Sequence, residues 1–220
     1  MNSANLVKIC LAPLIGRLAV GLLVAGPAAL SLIPAPAMAQ SSVEQAAQAL
    51  RAITTLRADF IQRGEASGQQ VSGVLSLKRG GKIRFQYQRG YPVQIISDGR
   101  ALSILDSELG NTQRWPLGNS PLGALLTPAK DVTQYGTVLP APDSHSLVIR
   151  VEDRKHPEYG VMILTFAHLA SAPGGLELVG WQTLDAQNRR SSIRLSNHHY
   201  GVALGDDLFT YIDTRARPHK

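Results

Sequence analysis

From Leu56 to His199 the apolar residues recur mainly with a period of two, and that period commits the chain to a fold built of strands. Leu56, Ala58 and Phe60 alternate with Arg57, Asp59 and Ile61. Val71, Gly73, Leu75 and Leu77 share a face of the next run, and Ile83, Phe85 and Tyr87 alternate with Lys82, Arg84 and Gln86. Segments 93–97 and 101–106 flank Asp98-Gly99, a dipeptide that favours a tight hairpin turn. Segments 147–152, 161–168, 176–185 and 189–199 are predicted as further strands, the last two joined by Ala186-Gln187-Asn188. Two helical patterns interrupt the series. One spans 40–53, where Ser42 caps and Val43, Ala46, Ala47, Leu50 and Ile53 follow at helical spacing. The other spans 121–126, with Pro121 in its first turn and Pro128 beyond its end. Strands this short and this numerous predict one antiparallel sheet, strongly curved or partly closed, with helices on one side.

The first 39 residues have a different pattern. Lys8 and Arg17 precede an apolar stretch from 18 to 32, and Ala37-Met38-Ala39 offers the small residues that a signal peptidase reads. A retained anchor is the alternative, since the uncharged stretch is long enough to span a bilayer; Pro27, Pro34 and Pro36 interrupt it. Residues 1–39 are therefore expected to be a signal peptide cut after Ala39, leaving one domain over 40–220. Cys10 is the single cysteine and would leave with the signal, so neither a disulfide nor a thiolate metal site is expected. Gln40 stands where a lipidated cysteine would have to be. Loss of Lys8 and Arg17 lowers the formal charge from +6 to +4. The remaining charges mix signs, as over 150–155, which is a solvated surface and not a nucleic-acid footprint. An exported chain of this kind belongs in a bacterial periplasm.

The polar faces of the strands are clear, and the apolar faces are rich in Leu, Ile and Val and poor in aromatics. A curved sheet of this size is either filled by its own side chains or hollow enough to hold a hydrocarbon ligand, and the pattern leaves both open. Catalytic chemistry is not expected. His198 and His199 are adjacent, so on a strand they point to opposite faces. His145, His156, His168 and His219 lack partners at metal or catalytic spacing, and nucleophile elbows, phosphate loops and zinc-protease helices are missing. No catalytic residue, metal ligand or cofactor is nominated.

Several segments, taken in order, carry a family resemblance. They are Leu56-Arg57-Ala58-Asp59-Phe60-Ile61-Gln62, Gly73-Val74-Leu75-Ser76-Leu77-Lys78-Arg79 and Ile83-Arg84-Phe85-Gln86-Tyr87. Ile95-Ile96-Ser97-Asp98-Gly99 with Leu102, Pro121-Leu122 with Leu125-Leu126, Arg190-Ser191-Ser192 and Leu208-Phe209-Thr210-Tyr211 follow. The chain resembles the periplasmic outer-membrane lipoprotein carriers (LolA-like) over nearly all of 40–220. The resemblance implies a mainly β fold: an unclosed antiparallel β-barrel, or half-barrel, covered by a few helices acting as an α lid over a hydrophobic cavity. It implies a monomeric periplasmic carrier that takes lipoprotein acyl chains from an inner-membrane ABC-type release transporter and passes them to an outer-membrane acceptor, with no nucleic-acid partner and no cofactor. A carrier or sensor of another acyl lipid or glycolipid is the alternative reading, and an uncharacterised hydrolase is a third. Leu75, Leu77, Ile83, Phe85, Ile95, Leu102 and Ile104 would line the acyl-chain cavity or its mouth, with Leu125 and Leu126 on the lid side. Arg79 matches the family arginine that ties barrel to lid; the plain alternative is a solvated hairpin arginine. Gly80 replaces a usual proline, and Ser76 and Ser103 stand where aromatics are frequent, which is expected to alter the cavity.

Overall fold

The computed structural model describes residues 37–65, 68–117, 134–184 and 189–210. The expected signal peptide lies almost wholly outside these residues, as do the helix expected at 121–126, with Leu125 and Leu126, and the basic C-terminus. Helix α1 runs Ala37–Ala52, three residues earlier than the spacing predicts. Eleven strands follow: β1 Thr55–Gly64, β2 Gln70–Lys78, β3 Lys82–Tyr87, β4 Val93–Asp98, β5 Ala101–Asp106, β6 Asn111–Pro116, β7 Gly136–Leu139, β8 Ser146–Glu152, β9 Val161–His168, β10 Leu176–Leu184 and β11 Arg190–Tyr200. Short 3-10 turns occupy Pro157–Tyr159, Pro173–Gly175 and Asp206–Phe209. Strands β6 and β7 were not expected. Asn111 to Pro116 is polar and ends in proline, a combination that favours loops and is tolerated only at a sheet edge. β7 is only four residues long.

All eleven strands form one antiparallel sheet in the order β6-β5-β4-β3-β2-β1-β11-β10-β9-β8-β7. β1 sits at the centre because it pairs on one side with β2 and on the other with β11. Among the described residues both edges, β6 and β7, lack a second strand neighbour, so the sheet does not close on itself. Two irregularities sharpen its curvature. In β11 the register against β1 shifts between Arg57 and Asp59, and Asn197 takes up the surplus with φ 52°. In β10 the register against β9 shifts between Leu178 and Gly180. An extra residue on one strand raises the local twist, which bends a wide sheet into a half-barrel.

The alternation predicted from sequence becomes one continuous apolar face. Leu56, Ala58 and Phe60 of β1, Leu147, Ile149 and Val151 of β8, Leu164 and Phe166 of β9 and Leu195 of β11 are all buried there. Helix α1 docks on it through Val43, Ala46, Ala47, Ala49 and Leu50, against β7, β8, β10 and the turn at Pro173–Gly175. Small residues on the helix let its backbone approach closely. At Gly174, a side-chain Cβ would lie 2.7 Å from the Ala49 Cα, and at Gly136 it would run into Val43.

Candidate functional site

The inner face of β1 to β5 carries the residues nominated from sequence. The register aligns two rows across four strands. Leu75 pairs with Phe85, Phe85 with Ile95 and Ile95 with Ile104; Leu77 pairs with Ile83, Ile83 with Ser97 and Ser97 with Leu102. Side chains directly opposite across a ladder point to the same side, so all seven nominated strand residues share one face. Leu75, Leu77, Ile83, Phe85 and Ile104 are buried, and Ile95 and Leu102 are half-buried. Ser97, fully buried in the second row, has a structural duty. Its hydroxyl donates to the Gly81 carbonyl at 2.7 Å and accepts the Gly99 N–H at 3.1 Å, tying two neighbouring hairpins together.

The expectation of an aromatic-poor face is wrong. Phe60 meets Phe85 edge-on at 5.3 Å and Tyr87 at 5.1 Å, Phe85 meets Trp181 at 6.0 Å, and Tyr87 lies 4.7 Å from Tyr91. The few aromatics of the chain were scattered in sequence, and the pairing of β1, β2, β3 and β10 gathers them. Gly73 makes this possible. It faces Phe60 and Tyr87 across two ladders, and a Cβ there would lie 2.8 Å from the Phe60 ring.

A second correction concerns Ser76 and Ser103. Both are buried, but they stand in the row Ser76–Arg84–Ile96–Ser103 on the opposite, convex face, so they do not shape the interior. That outer face is covered by the C-terminal segment. Thr55 Oγ1 donates to the Val202 carbonyl at 2.8 Å, Lys78 Nζ to the Leu204 carbonyl at 2.9 Å and Arg84 Nη1 to the Leu208 carbonyl at 3.0 Å. Asp206 bridges Lys78 and Lys82 at 2.7 and 2.9 Å, and those ammonium hydrogen bonds pull its carboxyl down to about 2. Phe209 is buried at the end of this strap.

The interior is not uniformly apolar. Gln62, in phase with the apolar set of β1, is buried, and so is Ser191 of β11. Tyr87 Oη donates to Gln62 Oε1 at 2.7 Å, and Gln62 Nε2 donates to Ser191 Oγ at 3.5 Å. Burial, with Tyr91 adding to it, raises the Tyr87 phenol far above its ordinary value. Sequence reasoning missed this group. A polar residue in phase with an apolar face was the available signal for Gln62 and Ser191; nothing marked Tyr91, which lies in a turn.

Arg79 is exposed in the turn between β2 and β3, where its backbone N–H donates to the Thr54 carbonyl at 2.9 Å. Gly81, two residues on, lies beside Leu117: a Cβ at Gly81 would be 3.8 Å from its Cδ1. Among the described residues, no group of three His, Cys, Asp or Glu is placed to hold a metal ion, and no helix is long and apolar enough to cross a membrane. His198 is used structurally, with Nε2 2.9 Å from the Leu178 carbonyl and its ring stacked on Tyr200.

An outer-membrane lipoprotein carrier protein of Chromobacterium violaceum is 36% identical over 99 residues, 42% of this chain and 48% of that one. One from Dechloromonas aromatica is 27% identical over 189 residues, covering 82% of this chain and 88% of its own. The crystal structure of a LolA superfamily protein from Nitrosomonas europaea superposes with a TM-score of 0.46 at 14% identity, over 79% of this chain and 97% of that one. The family profile described as outer membrane lipoprotein carrier protein LolA matches residues 51–212, the whole sheet and its C-terminal strap, so the chain belongs to the LolA family.

Proposed function

We propose that this protein is a periplasmic carrier of lipoproteins, which holds their acyl chains against the inner face of the half-barrel. The observation that carries the reading is the predominantly apolar face running from β5 through β1 to β8, in a chain of this family. The cargo comes from an ABC-type transporter of the inner membrane and goes to an acceptor at the outer membrane. The domain acts after removal of residues 1–39, as a freely diffusing monomer, and performs no catalysis.

A carrier must bind an acyl chain and also let it go. Each buried methylene contributes roughly 0.8 kcal/mol, so a chain of about 16 carbons gains on the order of 10 kcal/mol. Such a complex would not release its cargo on a useful timescale unless something offset that gain. The protein itself supplies a competitor. Leu75, Phe85 and Ile104 are already buried by protein atoms, so an acyl chain must displace contacts that the protein makes with itself.

The latch for that closed state is Arg79. Chain leaves the sheet at Leu117, beside the turn that carries this arginine. The helix expected at 121–126 begins four residues further along the chain and would supply the partner of the latch. Five donors on Arg79 would serve the free carbonyls of a helix end. Leu125 and Leu126 would then cover the inner face from the lid side.

Purification of the protein from its native periplasm, followed by mass spectrometry of whatever hydrophobic ligand accompanies it, tests the reading. A diacylated or triacylated peptide is the expected result. A free lipid or glycolipid would transfer the protein to the broader class of acyl-lipid carriers, and the absence of any hydrophobic ligand would overturn both.

A further inference from the structure

One group of the interior has no structural explanation. The Tyr91 hydroxyl is buried and makes no hydrogen bond, although buried polar atoms are normally satisfied and leaving one unmade is costly. Its ring packs on Tyr87 at 4.7 Å, against the same buried cluster that holds the acyl-facing residues. Tyr87 starts a short relay, to Gln62 and on to Ser191, whose last link is long at 3.5 Å. The relay uses one hydrogen of the Gln62 amide and leaves the Ser191 proton without an acceptor. Tyr91, Ser191 and the second Gln62 amide hydrogen are thus spare donors, all at one end of the inner face. The opposite end, six residues along β1 and about 20 Å away, is built of Leu56, Leu77 and Ile83.

A ligand that satisfies both ends is a hydrocarbon chain with hydrogen-bond acceptors at its head. The charge that acts on Tyr91 narrows the choice. Asp106 lies close enough to add to burial in raising the Tyr91 phenol to about 12, and the same negative charge would oppose a free fatty-acid carboxylate. A neutral ester or amide carbonyl carries no such penalty. Resting on the carrier reading above, we infer that Tyr91, Ser191 and Gln62 form a carbonyl subsite, which receives the ester or amide carbonyls of the cargo's acyl groups and orients their chains toward the Leu56 end.

The test pairs two ligands with two variants of the full mature chain. The ligands are a synthetic cysteine peptide carrying two ester-linked acyl chains and its dialkyl-ether analogue, equal in chain length but without the ester carbonyls. The wild type should bind the ester form about three- to tenfold more tightly, the ratio that one or two hydrogen bonds supply. Tyr91→Phe and Ser191→Ala should each erase most of that preference, weakening ester binding severalfold more than ether binding. Tyr91→Phe should also keep or raise the melting temperature of the free protein, because it removes an unpaired buried hydroxyl. Equal binding of both ligands by the wild type, or equal loss of both in the variants, would overturn the subsite. Failure of the wild type to bind either ligand would instead overturn the carrier reading itself. Palmitate as a third probe should bind more weakly than the ester peptide; tighter binding would overturn the choice of a neutral carbonyl.

Discussion

The two halves of the inner face are built differently. Over β7 to β10 the face is mostly aliphatic and lies under α1, whose Val43, Ala46, Ala49 and Leu50 are buried in the same core. Gly136 and Gly174 are there because no side chain would fit against Val43 and Ala49. Over β1 to β5 the face is partly aromatic, holds the polar relay through Gln62, and includes the half-buried Ile95 and Leu102. The contrast teaches a division of labour. One half supplies stability and should tolerate little change; on the carrier reading proposed above, the other would admit the ligand and should tolerate more.

The strongest test of that division is Phe166→Ala. Phe166 is fully buried between Leu147 and Leu178 under the helix half. Truncation should cost about 3–5 kcal/mol, read as a shift in urea unfolding. Gly174→Ala comes next. Its φ of +67° is unfavourable for alanine, and the new Cβ would sit 2.7 Å from the Ala49 Cα, a backbone atom that cannot rotate away. A loss of about 2–3 kcal/mol is expected, with α1 losing amide-exchange protection before the sheet does. If the helix and the β1–β5 face lost protection together, the halves would be one cooperative unit and the division would fail.

Smaller effects belong to the other half. Arg79→Leu should lower the unfolding free energy by no more than about 1.5 kcal/mol, the worth of the latch hydrogen bond. It should slow cargo transfer to the acceptor about tenfold, the equivalent of one charge-assisted hydrogen bond lost from the closed state. Unchanged transfer would remove Arg79 from the mechanism. Leu102→Ala should cost only about 1 kcal/mol of stability, because the side chain is half-buried. The same variant should weaken binding of a diacylated peptide severalfold, by isothermal titration. A stability loss as large as that of Phe166→Ala would place Leu102 in the fixed core.

Much of this division was legible in the sequence, and the illegible parts share a cause. Period-two alternation placed Leu75, Leu77, Ile83 and Phe85 on one face because side-chain direction on a strand is local information. The same alternation turns Ser76, between Leu75 and Leu77, and Ser103, between Leu102 and Ile104, to the opposite face, but it could not say that both would be buried there. The aromatic cluster was hidden for the same reason. Phe60, Phe85, Tyr87 and Trp181 become neighbours only through pairings between β1, β2 and β3 and between β10 and β11, and sequence separation conceals such contacts. The helix spacing revealed which side of α1 is apolar, but not that two distant glycines would receive it.

The smallest predicted effect concerns the convex face, where the strap holds the β1–β5 half from outside. Asp206 is exposed, yet its carboxyl titrates near 2 because Lys78 and Lys82 both hydrogen-bond to it. A carboxylate whose folded pKa is depressed stabilises the folded state fully above its unfolded value of about 4, and that contribution disappears as pH falls toward 2. Asp206→Asn should therefore lower the urea midpoint slightly at pH 7, and the wild-type and variant midpoints should converge between pH 4 and 2. Added salt should narrow the pH 7 difference, since Asp206 is exposed and both lysines are partly so. The strap also bears on the comparison between the halves. Its donors Lys78 and Arg84 stand on β2 and β3, the strands whose opposite face holds Leu77 and Ile83, so it stiffens the sheet behind the site without entering it. If Asp206→Asn changed binding of a diacylated peptide as much as Leu102→Ala does, the convex face would be part of the binding apparatus and not merely its backing.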